Sequence, residues 1–145
     1  MLENYSPQNY KCETLSLTSV IITASQHLLS IDENILAVCL MDSNFRVLEA
    51  ASKQAFDKKF KISDRLKKSS GDYAAMIFAT AQLSEETFGK VECVVVDYDM
   101  AKTMLLPIQG RGYVGMVVNS STSTEYITLK VSATLEPNPD MESYV

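Results

Sequence analysis

The 145-residue sequence predicts an α/β domain of the α+β type, with helices on the faces of a five-stranded antiparallel sheet. Three observations predict it. The stretch Gly89–Val118 divides into three short strands joined by two tight connections. The run Ile35–Met41 is continuously apolar, as in a strand buried on both faces, and a turn and a partner strand follow it. Segments of helical periodicity stand before, between and after these strand groups. The order is therefore α-β-β-α-β-β-β-α.

Residues 1–12 are polar and turn-forming and read as a loosely held arm, leaving one domain over 13–136. From Thr14 to Ser30, Leu17, Ile21, Ala24 and Leu28 recur at helical spacing, which predicts the first helix. Asp32-Glu33-Asn34 ends it. Asp42-Ser43-Asn44 then turns the chain through side chains that bond back to the backbone, and Phe45–Ala50 returns as a less buried strand. Ser63-Asp64 opens a short helix that Ser69-Ser70-Gly71 breaks. Asp72 is the expected N-cap of a second main helix reaching Phe88, which Gly89 terminates. Tyr73, Ile77, Ala81 and Phe88 make one face of it, and Ala74, Phe78 and Ala81 an adjoining one.

The meander follows as Val91–Asp97, Thr103–Ile108 and Tyr113–Val118. In its first strand Val91, Cys93 and Val95 are expected to face one way, and Val94 and Val96 the other. Pro107 stands near a strand end, where a missing backbone donor is tolerated. Thr122 with Glu125 forms a capping-box pattern before a last helix bearing Ile127, Val131 and Leu135. Pro137 and Pro139 close that helix, and residues 137–145 read as a disordered acidic tail.

At 46% hydrophobic and 21% charged residues, the chain can bury a core without staples. Its apolar runs are far shorter than the ~20 residues that a membrane helix needs. The start MLENYSPQNYK lacks the basic and apolar regions of a signal peptide, so the expected location is cytoplasmic, with no membrane partner. Cys12, Cys39 and Cys93 share no metal-binding spacing. Cys39 and Cys93 fall in predicted strands, where a free cysteine acts as a small apolar residue.

The net charge of −5 is uneven. Residues 53–68 hold seven cations and two carboxylates, a net of +5, which leaves −10 for the remainder. An acidic remainder disfavours nucleic acid as a partner. The segment either keeps a loop soluble or binds an anionic partner through Lys58, Lys59, Lys61, Arg65, Lys67 and Lys68.

No phosphate-loop, dinucleotide, zinc-protease, esterase or calcium-loop pattern occurs. QGRGYVG is glycine-rich, but it joins two strands and lacks the Lys-Ser/Thr that would grip a phosphate, so it reads as a hairpin turn. His27 is the single histidine, and a lone histidine beside an apolar helix face is more often packed than catalytic. Asp97 and Asp99 pair at a turn, where carboxylates are normally solvated. The expectation is no enzyme, with no catalytic residue, cofactor or metal.

The helix–hairpin–helix–meander–helix order, ILAVCLMDSNFRVLEAA and FGKVECVVVDYDMAKTMLLPI resemble the roadblock/LC7 family, which has a profilin-like three-layer α/β/α sandwich. The second stretch also resembles a small group of uncharacterised archaeal proteins, through Gly89, Lys90, Asp97, Tyr98, Lys102 and Pro107. Asp42-Ser43-Asn44 departs from the glycine-containing turn common in roadblock proteins. The resemblance implies a non-catalytic homodimeric scaffold or regulator, with a small GTPase or another protein as partner. It implies a dimer interface on the second helix and the strand after it: Tyr73, Ala74, Ile77, Ala81, Phe88, Val91, Cys93, Val95 and Asp97. Independently, an apolar edge strand without inward charge or a central proline needs a cover. The alternative is a sensor domain holding a small ligand between sheet and helices.

Overall fold

The computed structural model describes residues 23–135. The arm 1–12, the first part of the expected first helix, Cys12 and the tail 137–145 lie outside these residues. Helix α1 spans Ala24–Ser30, and Thr23 caps it in a capping box with Gln26. The expected helix therefore begins at Ala24 within the described chain, because the Thr23 hydroxyl terminates it on the N-terminal side. Strands β1 (Ile35–Met41) and β2 (Val47–Ser52) form the antiparallel hairpin. The Asp42 carboxylate accepts the Asn44 and Arg46 amides at 2.8 and 3.0 Å, as the turn chemistry predicts.

Phe45 is not a strand residue. Its φ is +63°, and its ring stacks on Tyr113 at 4.1 Å and tilts against Phe78 at 6.1 Å. Burial of that ring offsets a backbone conformation disfavoured for a bulky side chain.

The basic segment holds a short helix that local patterning did not predict, α2 (Gln54–Lys59), pinned by buried Phe56 against half-buried Phe60. The next helix differs most from expectation. α3 runs unbroken from Asp64 to Gln82, capped by Ser63, whose hydroxyl accepts the Leu66 amide at 3.1 Å. Asp72 is thus an interior residue and not an N-cap. Gly71 stays in the helix because a Cβ there would meet the Phe45 carbonyl oxygen at 2.3 Å. It is a point of close approach rather than a breaker. α3 stops at Gln82 and a separate turn of helix, α4 (Glu85–Phe88), precedes Gly89 at φ +92°.

Strands β3 (Val94–Asp97), β4 (Ala101–Ile108) and β5 (Gly112–Asn119) complete one sheet of order β2-β1-β5-β4-β3, antiparallel throughout. β3 is shorter than the expected Val91–Asp97. The Val91 amide donates to Glu85 Oε2 at 2.8 Å instead of to a ladder. Val91 consequently packs on the α3 side with Val94, while Cys93 packs on the opposite side. Gly110 and Gly112 take the positive φ values of the β4–β5 turn, so QGRG is a hairpin connection.

Helix α5 (Thr124–Leu135) closes the chain. Its first turn is held by the Ser123 hydroxyl, which accepts the Tyr126 amide, while buried Thr122 Oγ1 has no partner. The expected Thr122–Glu125 box does not form.

Two layers cover the sheet. On one face, Leu28 of α1 and Ile127 and Val131 of α5 enclose Ile35, Val38, Met104, Leu106, Val114, Met116 and Val118. On the other, α3 contributes only Ala74 and Phe78, over Met41 and Leu105.

Candidate assembly surface

Among the described residues β3 and β2 are the two edges of the sheet, and β3 is hydrogen-bonded to β4 alone. Its polar backbone edge is a template for another strand, with Val95 40% exposed and no proline within it. α3 lies beside that edge. Its Ala74–Phe78 side meets the sheet, and the opposite side carries Leu66, Tyr73, Met76, Thr80 and, just past its end, Leu83. These positions, with Ser69, follow the alternating three- and four-residue spacing of a helix–helix seam. Met76 is 69% exposed and Leu83 83% exposed, so nothing among the described residues covers the seam. Between helix and edge strand, Tyr73, Met76, Ile77, Thr80, Ala81 and Val94 line an open groove of ≈ 390 Å³.

The Tyr73 and Tyr98 hydroxyls share a 2.6 Å hydrogen bond that ties α3 to the β3–β4 turn. That bond, with partial burial, raises the Tyr73 pKa above the ordinary phenol value. The contact fixes one end of the groove.

The nine interface residues named from the resemblance divide in three. Tyr73, Ile77 and Ala81 meet in the groove, and Phe88 is exposed on α4 just beyond α3. Val95 and Asp97 belong to the edge strand. Ala74 is buried against the sheet, on the same side of α3 as Phe78 four residues on. Val91 and Cys93 are half-buried flanks of opposite faces and lie outside the ladder. Met76, Thr80, Val94 and Leu83 were not foreseen. The three–four spacing from Leu66 to Leu83 reveals the seam once the helix is read through Gly71.

Lys58 and Lys59 on α2, Lys61 on the connection, and Arg65, Lys67 and Lys68 on α3 are all exposed, on two helices joined by a short connection. Lys53 is apart from them, its ammonium donating to the Asp32 carbonyl at 2.9 Å. Among the described residues the remaining titratable groups show no catalytic grouping. His27 is exposed in the last turn of α1, and Asp97 and Asp99 are exposed at the β3–β4 turn. Burial pushes the Cys39 and Cys93 thiols up, away from the reactive thiolate. Among the described residues no group of three His, Cys, Asp or Glu side chains is placed to hold a metal. A second groove of ≈ 330 Å³, between Pro107–Gln109 and the end of α5, is also open to solvent. No helix of the described residues is long and apolar enough to cross a membrane.

No family model matches the chain, and no curated protein matches it significantly. Solved structures do match in fold. A roadblock/LC7 domain from Streptomyces avermitilis superposes with a TM-score of 0.62 at 10% identity, over 87% of this chain and 98% of that one. The gliding protein MglB from Thermus thermophilus gives 0.58 at 12% identity, over 84% and 93%. Myxococcus xanthus MglB gives 0.55 at 16% identity, over 82% and 91%. The five-stranded antiparallel sheet with its helices has the roadblock/LC7 fold.

Proposed function

We propose that the chain is a non-catalytic scaffold or regulator that works as a homodimer, joined through β3 and the uncovered side of α3. One observation carries this reading: the free edge of β3 and the apolar seam of α3 lie side by side, with an apolar groove between them. Two copies related by a two-fold axis normal to the sheet would continue one sheet across both chains and set the two α3 helices antiparallel. Burying Tyr73, Met76, Ile77 and Leu83 in that way contributes to the roughly 800 Å² per partner that stable interfaces need. A small GTPase is the partner class that the roadblock resemblance implies.

Sedimentation velocity at micromolar concentration tests the dimer. The expected result is a two-copy species that Ile77→Glu converts to a folded monomer, since a carboxylate in the groove has no cation facing it. A wild-type protein that stays monomeric sinks the proposal. Affinity capture from the native host, with the partners identified by mass spectrometry, tests the GTPase part, and a partner set lacking GTPases removes it. The small-ligand reading has less support, because both grooves are open rather than enclosed.

A further inference from the structure

The basic elbow formed by α2 and the start of α3 is anchored through Phe56 and Phe60, and its cations, apart from Lys59 over the Phe60 ring, make no contact that the fold needs. Residues 64–68 are all exposed, and α3 first meets the body of the domain around half-buried Ser69–Gly71. The helix therefore begins as an overhang. Arg65, Lys67 and Lys68 stand in its first turns, where the helix dipole opposes positive charge, and its last turn contains no basic residue. Lys58, Lys59 and Lys61 add to the same field from the preceding segment. Among the described residues, no ion pair engages any of these six cations. Only Arg65, Lys67 and Lys68 oppose the dipole of their helix, since Lys58 and Lys59 stand in the last turn of α2, where positive charge is favoured. All six cations belong to a segment of +5 in a chain otherwise of −10.

We infer that this elbow is a docking surface for a carboxylate-rich segment of a protein partner. The chemistry of the surface selects that class. Five of the six cations are lysines, point charges that match dispersed carboxylates, whereas bidentate phosphate recognition favours arginine. A free phosphate ion has no cradle here, because Ser63 Oγ already takes the Leu66 amide and neither groove adjoins the elbow. A nucleic-acid duplex or an anionic bilayer presents an extended negative face, which the acidic remainder of the chain repels. An acidic peptide segment, short enough to touch the elbow alone, avoids that repulsion.

The test is fluorescence anisotropy with the full chain and a fluorescein-labelled peptide of alternating Glu and Ser. Saturable binding is expected. It should weaken about tenfold or more in the variant carrying Lys58→Glu, Lys59→Glu, Lys67→Glu and Lys68→Glu, and several-fold as salt rises to physiological strength. The same variant should still melt cooperatively and near the wild-type temperature, because carboxylates favoured in the first turns of α3 offset those disfavoured in the last turn of α2. If it does not melt cooperatively, the four Lys→Gln changes replace it. No saturable binding, or binding that the variant retains, overturns the inference. So does equal or tighter binding of inorganic phosphate, phosphatidylserine vesicles or duplex DNA. Loss of the homodimer in the variant would assign the elbow to a second copy and overturn it as well.

Discussion

The two faces of the sheet are built unequally. Under α1 and α5, ten buried side chains from five elements interlock, and Ile35, Val114, Val118 and Ile127 are fully removed from water. Under α3 only four buried side chains meet, and an aromatic group of Phe45, Phe78 and Tyr113 fills the remaining space. The first face buries a large core among the described residues, although α5 also exposes Tyr126 and Leu129. The second spends part of its apolar surface outward, on the seam and the groove. The contrast teaches that a layer can be thin toward its own sheet because it is arranged to gain contacts elsewhere. On the proposed homodimer it also separates residues that hold the monomer from residues that would hold the pair.

The largest effect should come from the first face. Ile127→Ala should cost about 4 kcal/mol by denaturant unfolding, because a fully buried side chain leaves a cavity with no room to relax. Its effect should not depend on protein concentration. Gly71→Ala should cost about 2–3 kcal/mol despite the better helix propensity of alanine, since its Cβ would meet the Phe45 carbonyl oxygen. A neutral or stabilising result there would mean that α3 does not rest on the β1–β2 turn.

Met76→Gln should behave oppositely. It should alter the stability of the isolated chain by less than about 0.5 kcal/mol while weakening self-association, seen as melting that loses its dependence on protein concentration. If Met76→Gln destabilised dilute protein as Ile127→Ala does, the division between the faces would collapse.

Asp32 offers a pH readout on the first face. It joins the end of α1 to α5, accepting the Asn34 amide at 2.8 Å and the Lys130 ammonium at 2.9 Å, and these bonds hold its pKa below the ordinary carboxylate value. A lowered native pKa contributes stability above the unfolded value of about 3.9 that is lost as pH falls through the native one. Thermal melts should therefore show a gap between wild type and Asp32→Asn that is constant at neutral pH and closes below about pH 4. An effect as small as that of Met76→Gln on the isolated chain, below about 0.5 kcal/mol, is expected of Tyr98→Phe, because the hydroxyl it removes is exposed to water.

Much of this was legible along the chain, for identifiable reasons. The succession of five strands, the continuous run in β1 and the Asp42 turn follow from local chemistry, and the structure repeats them, whereas Gly89 ends only the separate turn α4 and not the main helix. The failures are places where a distant contact overrides a local rule. Ser69-Ser70-Gly71 reads as a breaker until Phe45, in a turn far off in sequence, is seen against Gly71. Phe45 itself reads as strand because nothing nearby announces the Tyr113 ring beneath it. The Thr122–Glu125 pattern loses to Ser123, one residue along. Of the proposed surface, part of the groove and of the edge strand was legible, but with the helix start misplaced the seam from Leu66 to Leu83 could not be traced. Ala74 was placed with the interface, although the adjoining face that it shares with Phe78 is the side buried against the sheet.

The short β3 ladder has a consequence for how copies would exchange. Glu85 holds the Val91 amide, so only four residues of the edge are in strand conformation. A junction that narrow can align two chains but cannot lock them. Its lifetime would be set by how quickly the α3 seams part, which makes Met76 and Leu83 the residues controlling residence time and leaves the strand to control alignment.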